Sequence, residues 1–409
     1  MSANQIYFDL QLRYQHRLRW LASRILGRAT ELVSYSDKQL LQLLRRKLPV
    51  LRRGKFDFAA QQFLDLMDEL EALRRKDIEA TWAESMVEIK ELAYMTQDKE
   101  EERTLAAVPF KLTLGRIAPA LLLVSLTEPF AGGPVDARTL PQWLESIQAA
   151  DATRIRAAIQ LGIRNNIPTE KIVGVLAGTK SKGFSDGVLA ATRRNFQAIL
   201  ASGIAHVHNS VSEKFWDRNP QVYKYLQWVA VLDGRTSAIC RARDGKFAPL
   251  GKNKVPDGFP KLDPPGARPP AHVGGCRSIM VPVFDANGIA SIIGERPFFR
   301  ETAKVQFEKI NFRAKVRANV GNSAWRQLSE VERQRAVDSL RDKFVSEHIG
   351  TVAADLNYDD WLRTQPASFQ NEVLGQKKAV LFRKGLKIDR FVDRAGRELS
   401  IPELRELLE

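Results

Sequence analysis

The residues of this chain with the most specific chemistry are its two cysteines, Cys240 and Cys276, and one of its five histidines, His272. They fall in two blocks, LDGRTSAICRARDGK at 232–246 and PPAHVGGCRS at 269–278. Thiolate and imidazole are the ligands that Zn²⁺ prefers, and the spacing His272-x3-Cys276 closes one end of a long loop as metal clips do. Asp233 adds an oxygen ligand, so Asp233, Cys240, His272 and Cys276 form a candidate metal set and Zn²⁺ is the cofactor it would take. The same residues admit a plainer reading. Cys240 and Cys276 can be small buried hydrophobes with His272 hydrogen-bonded in the loop, or can pair as a disulfide, which a reducing compartment disfavours.

Other catalytic arrangements are missing from the sequence. It holds no Walker loop, no His-Glu-x-x-His, no Gly-x-Ser-x-Gly and no phosphate-cradling glycine fingerprint. His206 and His208 stand two residues apart in a helical stretch, which points them to different faces and suits structural or surface roles. Asp359 and Asp360 precede Trp361 without a spaced partner and read as first-turn helix acids.

A second kind of chemistry is electrostatic. The chain has 409 residues, with 63 lysines and arginines against 48 acids and a formal net charge of +15. Polyanions, meaning nucleic acid or an acidic protein surface, are therefore the first candidate partners. The surplus is local as well as global: residues 1–60 carry twelve Lys/Arg and four Asp/Glu. Arg13, Arg17, Arg24 and Arg28 fall near one helical face, with Leu10, Leu18, Leu21 and Ile25 supplying apolar positions. Such a face is either solvated or a binding surface for DNA or an acidic partner. DNA contacts would go to phosphates, because no recognition-helix pattern and no aromatic stacking platform is visible.

The elements that must position these groups follow from composition and periodicity. Length predicts two to three domains with a sizeable core. The longest useful apolar stretch, Ile117 to Thr127, is far short of a bilayer span, so no membrane insertion is expected. Two cysteines and no signal-peptide pattern suit a cytoplasmic chain. The first hundred residues hold one proline, Pro49, and predict a helix hairpin or small bundle. At Val108 the texture turns Pro- and Gly-punctuated, and helices are predicted again over 141–164, 168–177 and 185–217, the last capped by Ser185. VYKYLQWVAVLD reads as a strand ending at Asp233-Gly234, and RSIMVPVF as a closing strand. Between them, residues 256–270 hold six prolines and form an extended loop. Beyond Pro297 the pattern predicts helix to about Gly350, then a set of aromatic anchors from Tyr358 to Phe391. The expected fold is mainly α with a small α+β central module. Its expected domains are a basic helical region at 1–106, a core with the Cys/His set at 107–296, and a helical C-terminal region at 297–409.

Two of these blocks carry a resemblance. YLQWVAVLDGRTSAICRARDGKF, with the proline loop and PPAHVGGCRSIMVPVF, resembles the central signature of the phage Mu F-like family of minor head (head morphogenesis) proteins. YDDWLRTQPASFQNEVLGQKKAVLFRKG, continued by IDRFVDRAGRELSIPELREL, resembles the C-terminal portion of many members. The likeness spans roughly 108–409. In that family a cysteine pair often follows the Asp-x-Arg-Thr element and a Cys-Arg-Cys follows the Pro-Pro-x-His. Here Ser237 and Ser278 stand at the outer positions, leaving Cys240, His272 and Cys276. The resemblance implies a low-copy virion component at the portal vertex or inside the head, acting in head assembly, DNA packaging or ejection by binding. The implied partners are a portal protein, a major capsid or scaffold protein and double-stranded DNA. The competing function is a zinc-dependent hydrolase or nuclease built on Asp233, Cys240, His272 and Cys276 with a water in the open position. A toxin-like transferase finds no nucleotide-binding motif to support it.

Overall fold

The structure is a computed structural model that describes residues 3–52, 61–108, 111–124, 126–129, 138–223, 225–234, 236–250, 278–284, 295–299, 311–353, 355–393 and 397–407. The fold is mainly α with a small amount of β, as the sequence predicts. In chain order the elements are α1 (Ala3–Leu51), α2 (Gln61–Ala107), α3 (Pro119–Val124), α4 (Leu140–Arg164), α5 (Thr169–Ala177), α6 (Val188–Arg218), β1 (Tyr225–Val229), α7 (Ala238–Arg243), β2 (Phe247–Pro249), β3 (Ile279–Val283) and β4 (Glu295–Phe299). They continue as α8 (Phe312–Val320), α9 (Asn322–Gln327), α10 (Glu330–His348), β5 (Ile349–Ala353), α11 (Tyr358–Arg363), α12 (Ala367–Leu374), α13 (Gln376–Arg383) and α14 (Ile401–Glu406).

The chain divides into two compact units. The first comprises Leu10–Pro220 and is helical. Its apolar core joins Leu40, Leu44 and Leu48 of α1, Phe63, Leu66 and Leu70 of α2, Ile155 and Ile159 of α4, Ile172 and Leu176 of α5 and Leu189 of α6. The 1–106 region is thus no separate domain: the end of α1 and the start of α2 share a core with α4–α6, their apolar positions recurring at helical spacing. Close approach is built in at Gly203 of α6, where a Cβ would come within 2.6 Å of the Leu140 side chain. α4 starts on a capping box, Thr139 and Gln142 each accepting the other's backbone N–H. α6 begins at Val188 with Gly187 as its N-cap. Ser185, expected as that cap, instead donates its hydroxyl to the Lys182 carbonyl at 2.8 Å, within the loop that precedes the helix.

The second unit holds the start of α1 through Asp9 and the described residues from Gln221 onward. The boundary expected at 296/297 falls inside β4, so the central strands and the C-terminal helices fold together. β1 is the middle strand of an antiparallel sheet of order β2-β1-β3, with Gln227 opposite Phe247 on one side and Val281 on the other. Pro282 opposes Leu226 and is tolerated because β3 is an edge strand of that sheet. β4 and β5 form a second antiparallel pair running from Glu295↔Ala353 to Phe299↔Ile349. Both were expected as helix or helix flank. Ile349-Gly-Thr-Val-Ala353 is β-branched at three of five positions, and the strand appears once a partner supplies its hydrogen bonds. The core of this unit gathers Leu232, Tyr358, Trp361, Phe369, Leu374, Phe382, Ile388, Phe391 and Leu404. Trp361 is fully buried, its ring 5.1 Å from Tyr358, 5.7 Å from Phe369 and 6.1 Å from Phe298 between centroids.

Candidate functional site

The segment that leaves β1 is organised around buried polar groups of the second unit. Asp244, at the end of α7, accepts the Ala230 N–H at 2.6 Å and takes both arms of the Arg296 guanidinium, at 2.9 and 3.0 Å. The same guanidinium donates to the carbonyls of Ala230 and Leu356. Asp244 and Arg296 are 7% and 3% exposed, so the pair is a desolvated bidentate clasp, with a further hydrogen of each Nη donated to a backbone carbonyl. It fastens the β1–α7 segment to β4 and to the residue preceding α11 by two. Neither Asp244 nor Arg296 stands out in the sequence, since 52 residues separate them.

Asp233 is buried in the turn between β1 and α7. Its carboxylate accepts the Thr236 hydroxyl at 3.0 Å, and its backbone carbonyl accepts the Tyr358 hydroxyl. Burial pushes the Tyr358 phenol well above its ordinary range, so it stays protonated and donates that bond. Cys240 lies in the first turn of α7 and is buried. Ser237, at the position where the resembled family often has cysteine, is the helix N-cap and accepts the Cys240 N–H at 3.4 Å. His272 and Cys276, and the proline loop at 256–270, lie outside the described residues. Among the described residues no group of three His, Cys, Asp or Glu side chains is placed to hold a metal ion. Asp233 and Cys240 are thus brought into one turn-and-helix segment, where Asp233 also has local hydrogen-bonding work.

A cleft of about 370 Å³ opens beside the clasp, lined among others by Gln227, Asp244, Lys246, Asn357, Asp360 and Asp389. Its acids are mostly engaged: Asp389 with Lys246 at 3.2 Å, Asp359 with Arg363 at 2.7 Å, and Asp360 with the Asn357 amide at 2.7 Å. Asp359 and Asp360 lie in the first turn of α11, as the sequence suggests.

In the helical unit, Arg24 and Arg28 are exposed on α1 and face acids of α2. Arg24 pairs with Glu88 at 3.0 Å, and Arg28 with Glu84 at 3.0 Å and Glu88 at 3.7 Å. Half of the expected arginine row therefore already has an acidic partner within the chain. Arg13 and Arg17 lie on the same helix, with side chains outside the described residues.

His208 is buried in this unit, its Nδ1 3.4 Å from the Thr96 hydroxyl. Burial lowers its pKa from 6.5 to about 4; Arg103 lowers it further and Glu100 opposes. It is a neutral core histidine rather than a ligand pair with His206. Beside it Glu100, fully buried, accepts from Ser212 at 2.7 Å and the Trp216 indole at 3.0 Å and pairs with Arg103 at 2.7 Å. A second buried layer joins Arg74 to Asp37 and to Asp151, each at 2.8 Å, with Arg193 pairing to Asp37 and Thr192 donating to Asp151. No single helix signals these layers, because each charge sits in an otherwise ordinary amphipathic pattern.

Comparison with known proteins adds no relative: no family model, no curated protein and no solved structure matches the chain.

Proposed function

We propose that this chain is a minor head protein of the phage Mu F-like kind, a low-copy virion component that works by binding at the portal vertex or inside the head during head assembly, DNA packaging or ejection. One observation supports this reading above the others. The stretch YLQWVAVLDGRTSAICRARDGKF and the C-terminal block that begins at Tyr358, more than a hundred residues apart, belong to one compact unit and touch. Tyr358 donates to the Asp233 carbonyl, Arg241 donates to the Val373 carbonyl at 3.0 Å, and Lys246 pairs with Asp389. Leu232 of the first block lies in the same apolar core as Trp361 and Phe382 of the second. Two separate motifs in the right order would be a weaker signal if they folded independently. Their mutual packing gives them a shared reason to occur together.

The reading assigns the chain a gripping role toward portal, capsid or scaffold protein and DNA, and the net charge of +15 suits the last of these. Quantitative mass spectrometry of purified particles from the phage whose genome carries this gene should find the polypeptide at a few copies per virion. Intact, infectious particles without it would overturn the proposal.

A further inference from the structure

The loop between α5 and α6, Gly178–Gly187, is tied down more thoroughly than a connection of its length requires. The Asp186 carboxylate accepts both the backbone N–H and the hydroxyl of Thr179, each at 2.8 Å. The amides of Gly183, Phe184 and Ser185 donate to the carbonyls of Lys180, Thr179 and Lys182 at 3.0, 2.9 and 3.2 Å. From α6, Arg193 donates to the Phe184 carbonyl at 3.0 Å and Arg194 to the Ser185 carbonyl at 2.8 Å. Gly187 lies so close to the preceding helix end that a Cβ would fall 2.4 Å from the Ala177 carbonyl carbon. A loop so determined holds one shape.

That shape exposes an aromatic ring in a loop that also carries two exposed lysines. Phe184 adopts φ 61°, in the left-handed region that a bulky side chain rarely enters, directly after Gly183 at φ 58°. Burial of the ring does not offset this strain, since Phe184 is 46% exposed. Lys180 and Lys182 of the same loop and Arg194 of α6 are exposed as well, and the ammonium of Lys182 is 3.9 Å from the nearest Asp186 oxygen. The loop amides from Lys182 to Ser185 are all engaged internally, so they leave no backbone cradle for an anion. What the loop offers a partner is side-chain chemistry: a flat apolar face on Phe184 and the exposed ammonium groups of Lys180 and Lys182.

We propose that the Lys180–Phe184 loop is a contact for single-stranded nucleic acid, with Lys180 and Lys182 against phosphates and Phe184 stacked on an unpaired base. Stacking on a ring beside cations is how unpaired strands are held without regard to sequence. An acidic peptide would use the lysines and leave the strained ring without a task. Neither the arginine row on α1 nor the virion assignment is needed for this contact.

The test uses the full chain and fluorescence anisotropy with a labelled oligonucleotide, single-stranded and as a blunt duplex, over a salt series. Lys180→Glu/Lys182→Glu should weaken binding to both about tenfold or more and flatten the slope of log Kd against log salt by about 1–2. Phe184→Gly suits a positive φ, so it should melt at the same temperature or higher. It should weaken single-strand binding about tenfold and leave duplex binding within about twofold. Unchanged affinity of the double lysine variant for both probes would overturn the proposal. So would Phe184→Gly binding the single strand as the parent does.

Discussion

The helical unit and the C-terminal part of the second unit solve the problem of a stable core in opposite ways. In the first, long helices place charges in the interior and satisfy them across the bundle: Arg74 serves Asp37 and Asp151, and Glu100 draws on Arg103, Ser212 and Trp216. In the second, α11–α14 are at most eight residues long and surround Trp361, Tyr358, Phe369 and Phe382 with little buried charge of their own. Helices that short are unstable alone, so aromatic packing and end caps must hold them. Long amphipathic helices can instead slide past one another, and a buried ion pair that fits in one register gives the bundle a single arrangement. Buried charge in such positions contributes more to specificity than to net stability.

Breaking a buried pair should therefore cost the helical unit as much as removing the largest ring costs the other. Arg74→Ala takes the close cation from buried Asp151 and leaves Asp37 with Arg193 alone, and should destabilise by about 3–5 kcal/mol in urea unfolding. A loss below about 1 kcal/mol would show that water reaches the layer and that the comparison fails. Trp361→Ala should cost a similar amount, about 3–5 kcal/mol, by opening a cavity among three aromatic rings. Its effect should be independent of pH between 5 and 7, roughly, because no titrating side chain is unmasked.

The pH response separates the two regions further. His208 is held neutral, its pKa lowered from 6.5 to about 4 by burial. Below 6.5 the unfolded chain binds a proton that the native state refuses. Stability from this group is therefore complete above pH 6.5 and lost as pH falls toward 4, by about 3 kcal/mol in all. His208→Asn keeps an acceptor near the Thr96 hydroxyl and should flatten the stability–pH curve over that range. An unchanged curve would assign the acid sensitivity to other groups. The smallest effect belongs to a cap: Asn357 accepts the Asp360 N–H at 3.0 Å, and Asn357→Ala should cost about 1 kcal/mol, read as a small shift in melting temperature.

Particular elements show what was legible before the fold. Apolar positions in residues 1–106 and the run VYKYLQWVAVLD predict α1, α2 and β1, because periodicity is a local property of the chain. First-turn acids at 359 and 360 announce α11 for the same reason. Cys240 and Asp233 draw attention by residue type, and the structure places them in one segment in which Asp233 also serves the turn. The Asp244–Arg296 clasp and the Phe184 loop carry no such mark. One depends on two common residues meeting from a helix end and a distant strand, the other on a backbone angle that composition does not reveal.

Local pattern and composition were enough to specify the helical character, the positions of the chief helices, the central strand and the positive charge, because each depends on neighbours within a few residues or on residue counts alone. Tertiary structure decided which charges are buried in pairs, that Ile349–Ala353 is a strand, that α1 and α2 belong to the bundle, and that Gly187 rather than Ser185 begins α6. The physical reason is the same in each case. A desolvated ion pair, a strand's hydrogen-bonding partner and a helix's first free turn are set by groups far away along the chain, and only folding brings those groups within reach.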